Sequence, residues 1–351
     1  MRSTDRAQPS RSGEQRYFTL DAWRGIAALS VVLFHSSNHP ALAASVIGRW
    51  LQWGWIGVFV FFPISGYCIT GASARPGFTH PLTFFRRRCR RILLPYWAGI
   101  VWTVAIGLVA LSFNGGTLDD LTQSAAVWAS VLSLTQVFTG HPHAINPVYW
   151  SLAYELQFYV VAALLMFFPS RARWPFVLAV TGASVVFLWQ GSPVEGLFLS
   201  YWPCFAAGCA THIWLRQPSD RPYAIAIAAA VMAAALVAPA TWLSLGAAAL
   251  FVVLAPYDAT LTRHRATTVL IAVGALSYSL YLTHVPIAGR IVNLMLRFDA
   301  PAWVAVVSAA MASLAAGYLF YVAVERRYCR ARRADDAVPM TVSALPRLGM
   351  S

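Results

Sequence analysis

The chain has 351 residues, of which 58% are hydrophobic and 11% are charged, and its mean hydropathy is +0.59. One soluble core cannot bury so much apolar surface, so the composition excludes a soluble enzyme and is typical of an all-α polytopic membrane protein. The formal charge of +13 would suit nucleic-acid binding. However, the basic residues are all arginines distributed between apolar stretches, which indicates membrane topology and no nucleic-acid partner.

Apolar stretches of about 17 to 25 residues, the length that a helix needs to span a bilayer, recur along the chain. They predict about ten transmembrane helices, over residues 20–38, 50–74, 93–113, 149–169, 174–190, 197–215, 222–240, 242–257, 267–292 and 301–324. The apolar segment 125–138 is short, so we interpret it as a re-entrant or interfacial helix rather than a further crossing.

The arginines predict the orientation of these helices. They cluster before the first span and after every even-numbered span, whereas the segments that follow the odd-numbered spans hold only Arg49 and Arg297. Because positively charged loops stay in the cytoplasm, both termini are predicted to be cytoplasmic. The expected organisation is a disordered basic cytoplasmic tail over residues 1–16, a transmembrane domain over 17–325 and a polar cytoplasmic tail over 326–351.

The cysteines do not form a disulfide framework. Three of them lie in predicted spans and two in predicted cytoplasmic segments, where packing is their expected role. No spacing of cysteine and histidine matches a zinc site, so we predict no metal.

Arg24 and His35 are the first ionisable pair inside a predicted span, within LDAWRGIAALSVVLFH. Eleven residues apart, they share a helix face to within about 20° and are about 16 Å apart along the axis. A histidine can accept a proton near neutral pH, which suits a general base that activates a hydroxyl. The alternative is that Arg24 extends to the interface and His35 caps the helix end.

The second span contains FFPISGYCIT, in which Pro63, Ser65 and Gly66 are expected to interrupt the helix. Such a break would free backbone groups that lipid cannot satisfy and would let a substrate approach the backbone. A kink packed against a neighbouring helix is the competing interpretation.

A basic cluster, FFRRRCRRILLPYW, follows this span and holds five arginines in six residues. Such clusters commonly anchor a protein to anionic lipid. Arg88 and Arg91 are three residues apart and would face one way on a helix, so with neighbours such as Arg87 they could clamp phosphates of a cytosolic ligand.

The block NPVYWSLAYELQFYV places Ser151 and Glu155 one helical turn apart among aromatic residues that include Trp150 and Tyr154. A carboxylate inside a span needs a cationic or hydrogen-bonding partner, and a purely structural ion pair is the competing interpretation. The candidate partners are Arg24, Arg88 and His35.

A later block, GALSYSLYLTHVPI, places Ser277, Tyr281 and His284 on one helix face. His284 could assist proton movement, but a hydrogen bond in the aromatic belt is the favoured role, so His284 ranks below His35 as a catalytic candidate.

Together these blocks resemble the membrane acyltransferase-3 family. The resemblance rests on LDAWRGIAALSVVLFH, FFPISGY, RRRCRRILLPYW, WSLAYELQFY, GALSYSLYLTH and the closing Val324-Glu325, which occur in the family's order. Where the family usually has a proline soon after that Val-Glu pair, Arg326 and Arg327 follow here.

The resemblance implies a bacterial inner-membrane O-acyltransferase with acyl-CoA, typically acetyl-CoA, as co-substrate and no permanently bound cofactor. The implied acceptor is a hydroxyl of a carbohydrate, a cell-surface glycan or a related compound. His35 corresponds to the family's proposed catalytic histidine, and Arg24 and Glu155 accompany it. Arg88 and Arg91 correspond to the paired arginines of the basic motif.

The resulting hypothesis is that arginines hold the donor's phosphates, His35 activates the acceptor hydroxyl, and the backbone near Ser65 and Gly66 or a nearby arginine stabilises the oxyanion. Trp150, Ser151, Tyr154, Tyr281 and His284 are predicted to line the substrate region. A covalent acyl-histidine remains an alternative to direct transfer. The rival class is a proton-coupled transporter or a flippase of an anionic lipid-linked glycan, since such proteins also carry intramembrane His, Glu and Arg.

Overall fold

A computed structural model describes residues 17–73, 80–114 and 122–327, so the predicted tail over 1–16 and most of that over 326–351 lie outside the described residues. Within these ranges the chain is helical and has no β-strand, which confirms the all-α class. The α-helices are α1 (Thr19–Ser36), α2 (Pro40–Ala43), α3 (Val46–Leu51), α4 (Ile56–Ser73), α5 (Pro81–Asn114), α6 (Ala125–Leu132), α7 (Trp150–Leu165), α8 (Ser170–Trp189), α9 (Trp202–Arg216), α10 (Arg221–Val237), α11 (Thr241–Leu254), α12 (Asp258–Leu261), α13 (Arg265–Ala275), α14 (Ser277–Arg297) and α15 (Ala302–Phe320).

Each predicted span overlaps at least one of these helices. By length and apolar composition, six helical segments of the described chain are able to cross a membrane, and a seventh qualifies if α13 and α14 count as one bent span. The chain is therefore a multi-pass membrane protein. The count of ten spans and the cytoplasmic position of both termini stay predictions.

The predicted span over residues 267–292 is wrong as a single helix. It breaks at Leu276, and α13 and α14 meet at an angle of 75°. α13 lies against α1 through a close backbone contact, because a Cβ atom on Gly274 would be only 1.8 Å from the carbonyl oxygen of Asp21. A hydropathy pattern records the apolar length of such a segment and cannot record the bend.

The predicted interruption of the second span is also wrong, since α4 continues through Pro63. A helix proline leaves the carbonyl four residues earlier without its usual donor. Here the Ser244 hydroxyl donates to that carbonyl, Phe59 O, at 2.7 Å. Gly66 packs tightly against α9, because a Cβ there would be 2.1 Å from Phe205 O.

The short apolar segment 125–138 contains only the eight-residue helix α6. At 1.5 Å per residue it is about 12 Å long, far less than the roughly 30 Å of a bilayer core. It therefore does not form a further crossing by itself, and its relation to the membrane surface stays a prediction.

α1 has a central position, where it packs against α4, α13, α14 and α15. Its first turn is fixed by Asp258, whose carboxylate accepts hydrogen bonds from the backbone N–H of Thr19 at 2.7 Å, from the Thr19 hydroxyl, and from the backbone N–H of Phe18 at 3.2 Å. A carboxylate at a helix N-terminus satisfies otherwise unpaired N–H groups and interacts favourably with the helix dipole. This contact sets the position of α1 and of the Arg24 side chain that it carries.

Candidate active site

A cavity of about 330 Å³ lies among α1, α4, α5, α7, α13 and α14, and we call it the central cavity. Its arginines and Glu325 lie toward the helix ends that the arginine distribution predicts to be cytoplasmic, whereas Ser151 lies at the opposite end of α7. Three arginines and three carboxylates line it, so their formal charges balance. They are Arg24, Arg88, Arg91, Asp21, Glu155 and Glu325.

Arg24 contacts two polar groups at the wall of the cavity. Its Nη1 lies 3.0 Å from Asp21 Oδ1 and its Nη2 lies 3.1 Å from Cys68 Sγ. The arginine side chain is only 23% exposed. Arg24 is therefore held beside the cavity by groups from α1 and α4, and is not extended into the interface.

Glu155 receives its hydrogen bonds from hydroxyl groups rather than from a guanidinium. Ser65 Oγ donates to Glu155 Oε1 at 3.1 Å, and the Tyr159 hydroxyl donates to the same oxygen at 2.6 Å. The second carboxylate oxygen, Oε2, carries no described hydrogen bond. The central cavity thus contains a carboxylate with remaining capacity to accept hydrogen bonds.

Arg88 and Arg91 line the same cavity, as their spacing on a helix predicts. The Arg88 guanidinium lies 5.6 Å from the centre of the Phe84 ring and 5.9 Å from that of Tyr159, within the range of a cation–π interaction. Arg91 is exposed. Arg87 is half-buried and lies outside the cavity lining, so its part in donor binding stays a prediction.

Glu325 is a lining residue for which the sequence predicted no role. It ends a π-helical turn, Tyr321–Glu325, and its Oε2 accepts a hydrogen bond from Ser279 Oγ at 2.6 Å. Single π turns often occur at functional sites because they redirect side chains. The signal in the sequence was the Val324-Glu325 pair itself, an acidic residue at the end of an apolar span.

Ser151 and Tyr281 meet at another part of the cavity wall, with 2.7 Å between their hydroxyl oxygens. The Tyr281 hydroxyl also lies 2.7 Å from Val148 O, to which it can donate. The Tyr281 ring contacts that of Phe61, with 6.2 Å between ring centres, and both residues line the cavity. Ser151 and Tyr281 therefore lie where a substrate-lining role requires.

His35 and His284 form a pair beside the central cavity and do not line it. Their ring centres are 5.2 Å apart, and the Tyr281 ring lies 6.0 Å from His284. Tyr281 thus contacts both the cavity and the histidine pair. Arg24 and His35 share one face of α1, but only Arg24 lines the central cavity.

His284 is completely buried, so it is not an aromatic-belt residue. Its Nδ1 lies 3.0 Å from Leu280 O and 2.9 Å from Tyr281 O, and carbonyls only accept, so Nδ1 carries the proton. Neutral His284 then has an unprotonated Nε2, which has no hydrogen-bond partner in the described structure. Nε2 of His284 is therefore a hydrogen-bond acceptor next to His35. A histidine in this position can accept a proton or pass one on.

Trp150 and Tyr154 belong to an aromatic cluster outside the lining of the central cavity. Their rings lie 5.3 and 4.6 Å from that of Tyr201, and Trp150 also lies 6.3 Å from Phe62. Of these four residues, Phe62 alone lines the central cavity. Gly66, packed against α9, does not line it either.

The described ranges contain no group of three or more His, Cys, Asp or Glu side chains that could hold a metal ion. The convergent groups are instead guanidiniums, carboxylates and hydroxyls. Guanidiniums bind phosphate and carboxylate groups, and they can also stabilise the negative charge that develops in acyl transfer.

Comparison with known proteins gives an independent indication of the activity. The chain is 28% identical to BcsY of Komagataeibacter xylinus, named as a membrane-bound transacylase, over 76% of this chain and 72% of that protein. It is 28% identical to the exopolysaccharide production protein ExoZ of Rhizobium meliloti, over 86% of this chain and 96% of that one.

A third relative is YrhL of Bacillus subtilis, named as a peptidoglycan O-acetyltransferase, which is 29% identical over 46% of this chain and only 26% of that longer protein. No solved structure is significantly similar to the chain. The sequence model of the acyltransferase-3 family, described as an acyltransferase domain, matches residues 17–322. The chain therefore belongs to this family and is a membrane acyltransferase that transfers groups other than amino-acyl groups.

Proposed function

We propose that the protein transfers an acyl group, acetyl being the expected one, from cytoplasmic acyl-CoA to a hydroxyl of a cell-surface carbohydrate. The convergence of Arg24, Arg88 and Arg91 on one cavity is the observation that carries the proposal. Several guanidiniums suit the phosphates of a CoA donor, whereas an acyl group alone carries no charge for them to bind.

Donor binding is assigned to Arg88 and Arg91. Arg91, the more exposed of the two, meets the donor first, and Arg88 is held more rigidly between aromatic rings. Their charges form charge-assisted hydrogen bonds with the phosphates, and the thioester end of the donor extends into the cavity. Arg87 adds positive charge at the same helix end.

Proton removal from the acceptor is assigned to His35, supported by its acceptor-bearing neighbour His284. Tyr281 lies between His284 and the cavity, so the acyl group and the acceptor hydroxyl have to meet close to Tyr281. The hydroxyl oxygen attacks the thioester carbonyl while its proton passes to His35, and CoA leaves as the thiolate.

Stabilisation of the oxyanion is not assigned to the backbone near Ser65 and Gly66. α4 is intact, and the group that Pro63 frees is a carbonyl, which cannot donate a hydrogen bond. Arg24 is a fixed hydrogen-bond donor at the cavity wall and adds a third positive charge to the donor site. Glu155 balances the arginines or orients the acceptor.

The acceptor class is supported by the relatives, whose names refer to exopolysaccharide production and peptidoglycan O-acetylation. A carbohydrate at the cell surface would be modified by a multi-pass protein of the inner membrane, which is the location that we propose. Family membership favours this enzyme over a proton-coupled transporter or flippase.

The test uses purified protein in nanodiscs with ¹⁴C-acetyl-CoA and an extract of envelope glycans. We expect free CoA to appear together with label on glycan. Movement of glycan across a vesicle membrane with no CoA release would contradict the enzyme and support the transporter. Label trapped on the protein without glycan would identify an acyl-enzyme route in place of direct transfer.

A further inference from the structure

A second cavity, of about 590 Å³, lies at the opposite end of the helical bundle from Arg91, and we call it the outer cleft. It is formed where the segments 133–149, 190–200 and 238–240 come together. These segments lie after odd-numbered predicted spans, on the side that the arginine distribution predicts to be extracytoplasmic. Its volume lies within the usual range of about 300–1,000 Å³ for small-molecule sites.

The lining of the outer cleft combines aromatic rings with hydroxyl and carboxylate groups. Tyr154 and Tyr201 lie in edge contact, with 4.6 Å between ring centres. Glu195 contributes an exposed carboxylate, and Ser192 and Ser200 contribute hydroxyls. Aromatic faces pack against the C–H faces of sugar rings, and carboxylates and hydroxyls bind sugar hydroxyls.

The segment that carries Glu195 is held in a defined conformation. Gln157 of α7 donates to Gly196 O at 2.9 Å and accepts from the backbone N–H of Phe198 at 2.9 Å. Gly196 has a φ of +77°, and a Cβ there would lie 2.6 Å from Val137 O, so only glycine fits. Ser192 is also in the left-handed region, at a φ of 55°. Such backbone conformations concentrate at functional sites.

The outer cleft and the central cavity share one wall. Adjacent residues of α7 line the two, Tyr154 the outer cleft and Glu155 the central cavity. Phe62 lines the central cavity and lies 5.6 Å from Tyr201, which lines the outer cleft. A single layer of aromatic rings therefore separates them, so a ligand in the outer cleft lies next to the central cavity without entering it.

From this arrangement we infer that the outer cleft binds the acceptor, as an uncharged, hydroxyl-rich segment of glycan. The inference rests on the proposed function for the identity of the ligand as acceptor. The carboxylate of Glu195 accepts hydrogen bonds from hydroxyls and repels anions, so an uncharged segment is favoured over an acidic one.

Two variants and a control test the outer cleft. Ala240→Trp fills the cleft with a bulky side chain, and Glu195→Gln removes an exposed charge without cavity or strain. Trp189→Ala is the control, because Trp189 is 73% exposed, is close to this segment in sequence and does not line the cleft. The probe is a set of fluorescently labelled, uncharged fragments of the producing organism's surface glycan, and binding is read by anisotropy in nanodiscs without acyl-CoA.

We expect both cleft variants to weaken glycan binding at least about tenfold, which corresponds to the loss of one hydrogen bond to a charged group. The control should bind glycan as the wild type does. Donor binding is measured separately, by calorimetric titration of acetyl-CoA in the absence of glycan, and should be unchanged in all three variants. Unchanged glycan binding by both cleft variants would overturn the inference, as would a wild-type protein that binds none of the fragments. A wild type that binds glycan but releases no CoA when glycan and acetyl-CoA are present together would leave the cleft in place and reject the proposed function.

Discussion

Replacement of Arg88 and Arg91 separates a specific donor site from a general basic surface. Both residues line the central cavity, whereas Arg86 and Arg90 of the same cluster are exposed and lie outside its lining. Arg88→Ala and Arg91→Ala should therefore weaken acyl-CoA binding. Arg86→Ala and Arg90→Ala are matched controls with the same change in net charge.

The magnitude follows from the loss of hydrogen bonds to a charged phosphate, about 1.5–3 kcal/mol, which is about ten- to hundredfold in Kd. Arg88 is half-buried between Phe84 and Tyr159 and should give the larger loss. Arg91 is exposed, so solvent screens its charge and its effect should lie at the low end. Arg88→Lys should be intermediate, because lysine keeps the charge but loses the bidentate geometry.

The assay is calorimetric titration of acetyl-CoA into each variant in nanodiscs at about 0.1 M salt, where exposed charges are partly screened. The controls should bind within about twofold of the wild type. An equal loss in all four alanine variants would indicate a diffuse basic surface and refute the donor site. Unchanged binding by Arg88→Ala and Arg91→Ala would refute it as well.

Two further predictions concern the helix contacts that shape the cavity. Gly274→Ala should lower the Tm of the solubilised protein by several degrees, because the added Cβ would be 1.8 Å from Asp21 O. The control Gly246→Ala, which has open space around it, should not lower the Tm. Equal Tm values for the two variants would contradict the close packing of α13 on α1. Ser244→Ala should cost about 1–3 kcal/mol in the free energy of unfolding, because Phe59 O would be left buried without a donor. No change in denaturant midpoint would show that another group satisfies this carbonyl.

Local spacing predicted the parts of the site that lie within one helix. Arg88 and Arg91 face one cavity as residues three apart should, and composition alone predicted the helical membrane class. The hydrogen bond from Ser65 to Glu155 joins residues 90 positions apart, and no helical periodicity can predict such a pair.

Spacing failed where a neighbouring helix decides the environment. Arg24 and His35 share a stripe of α1, yet α14 brings Tyr281 and His284 against the His35 end, so only Arg24 lines the cavity. Likewise, the sequence of α4 shows Pro63 but cannot show that a serine 185 residues from Phe59 satisfies the freed carbonyl. In both cases a contact from another helix, which the local sequence cannot show, determined the environment of the residue.

The role of His35 is tested most directly by one rate, that of ¹⁴C-acetyl transfer from acetyl-CoA to envelope glycan by His35→Ala in nanodiscs. Loss of a positioned general base should lower this rate by about 10² to 10⁴. Since His35 lies outside the central cavity, acetyl-CoA should still bind the variant as it binds the wild type. Transfer at the wild-type rate by a folded His35→Ala protein would contradict the assignment of His35 as the base.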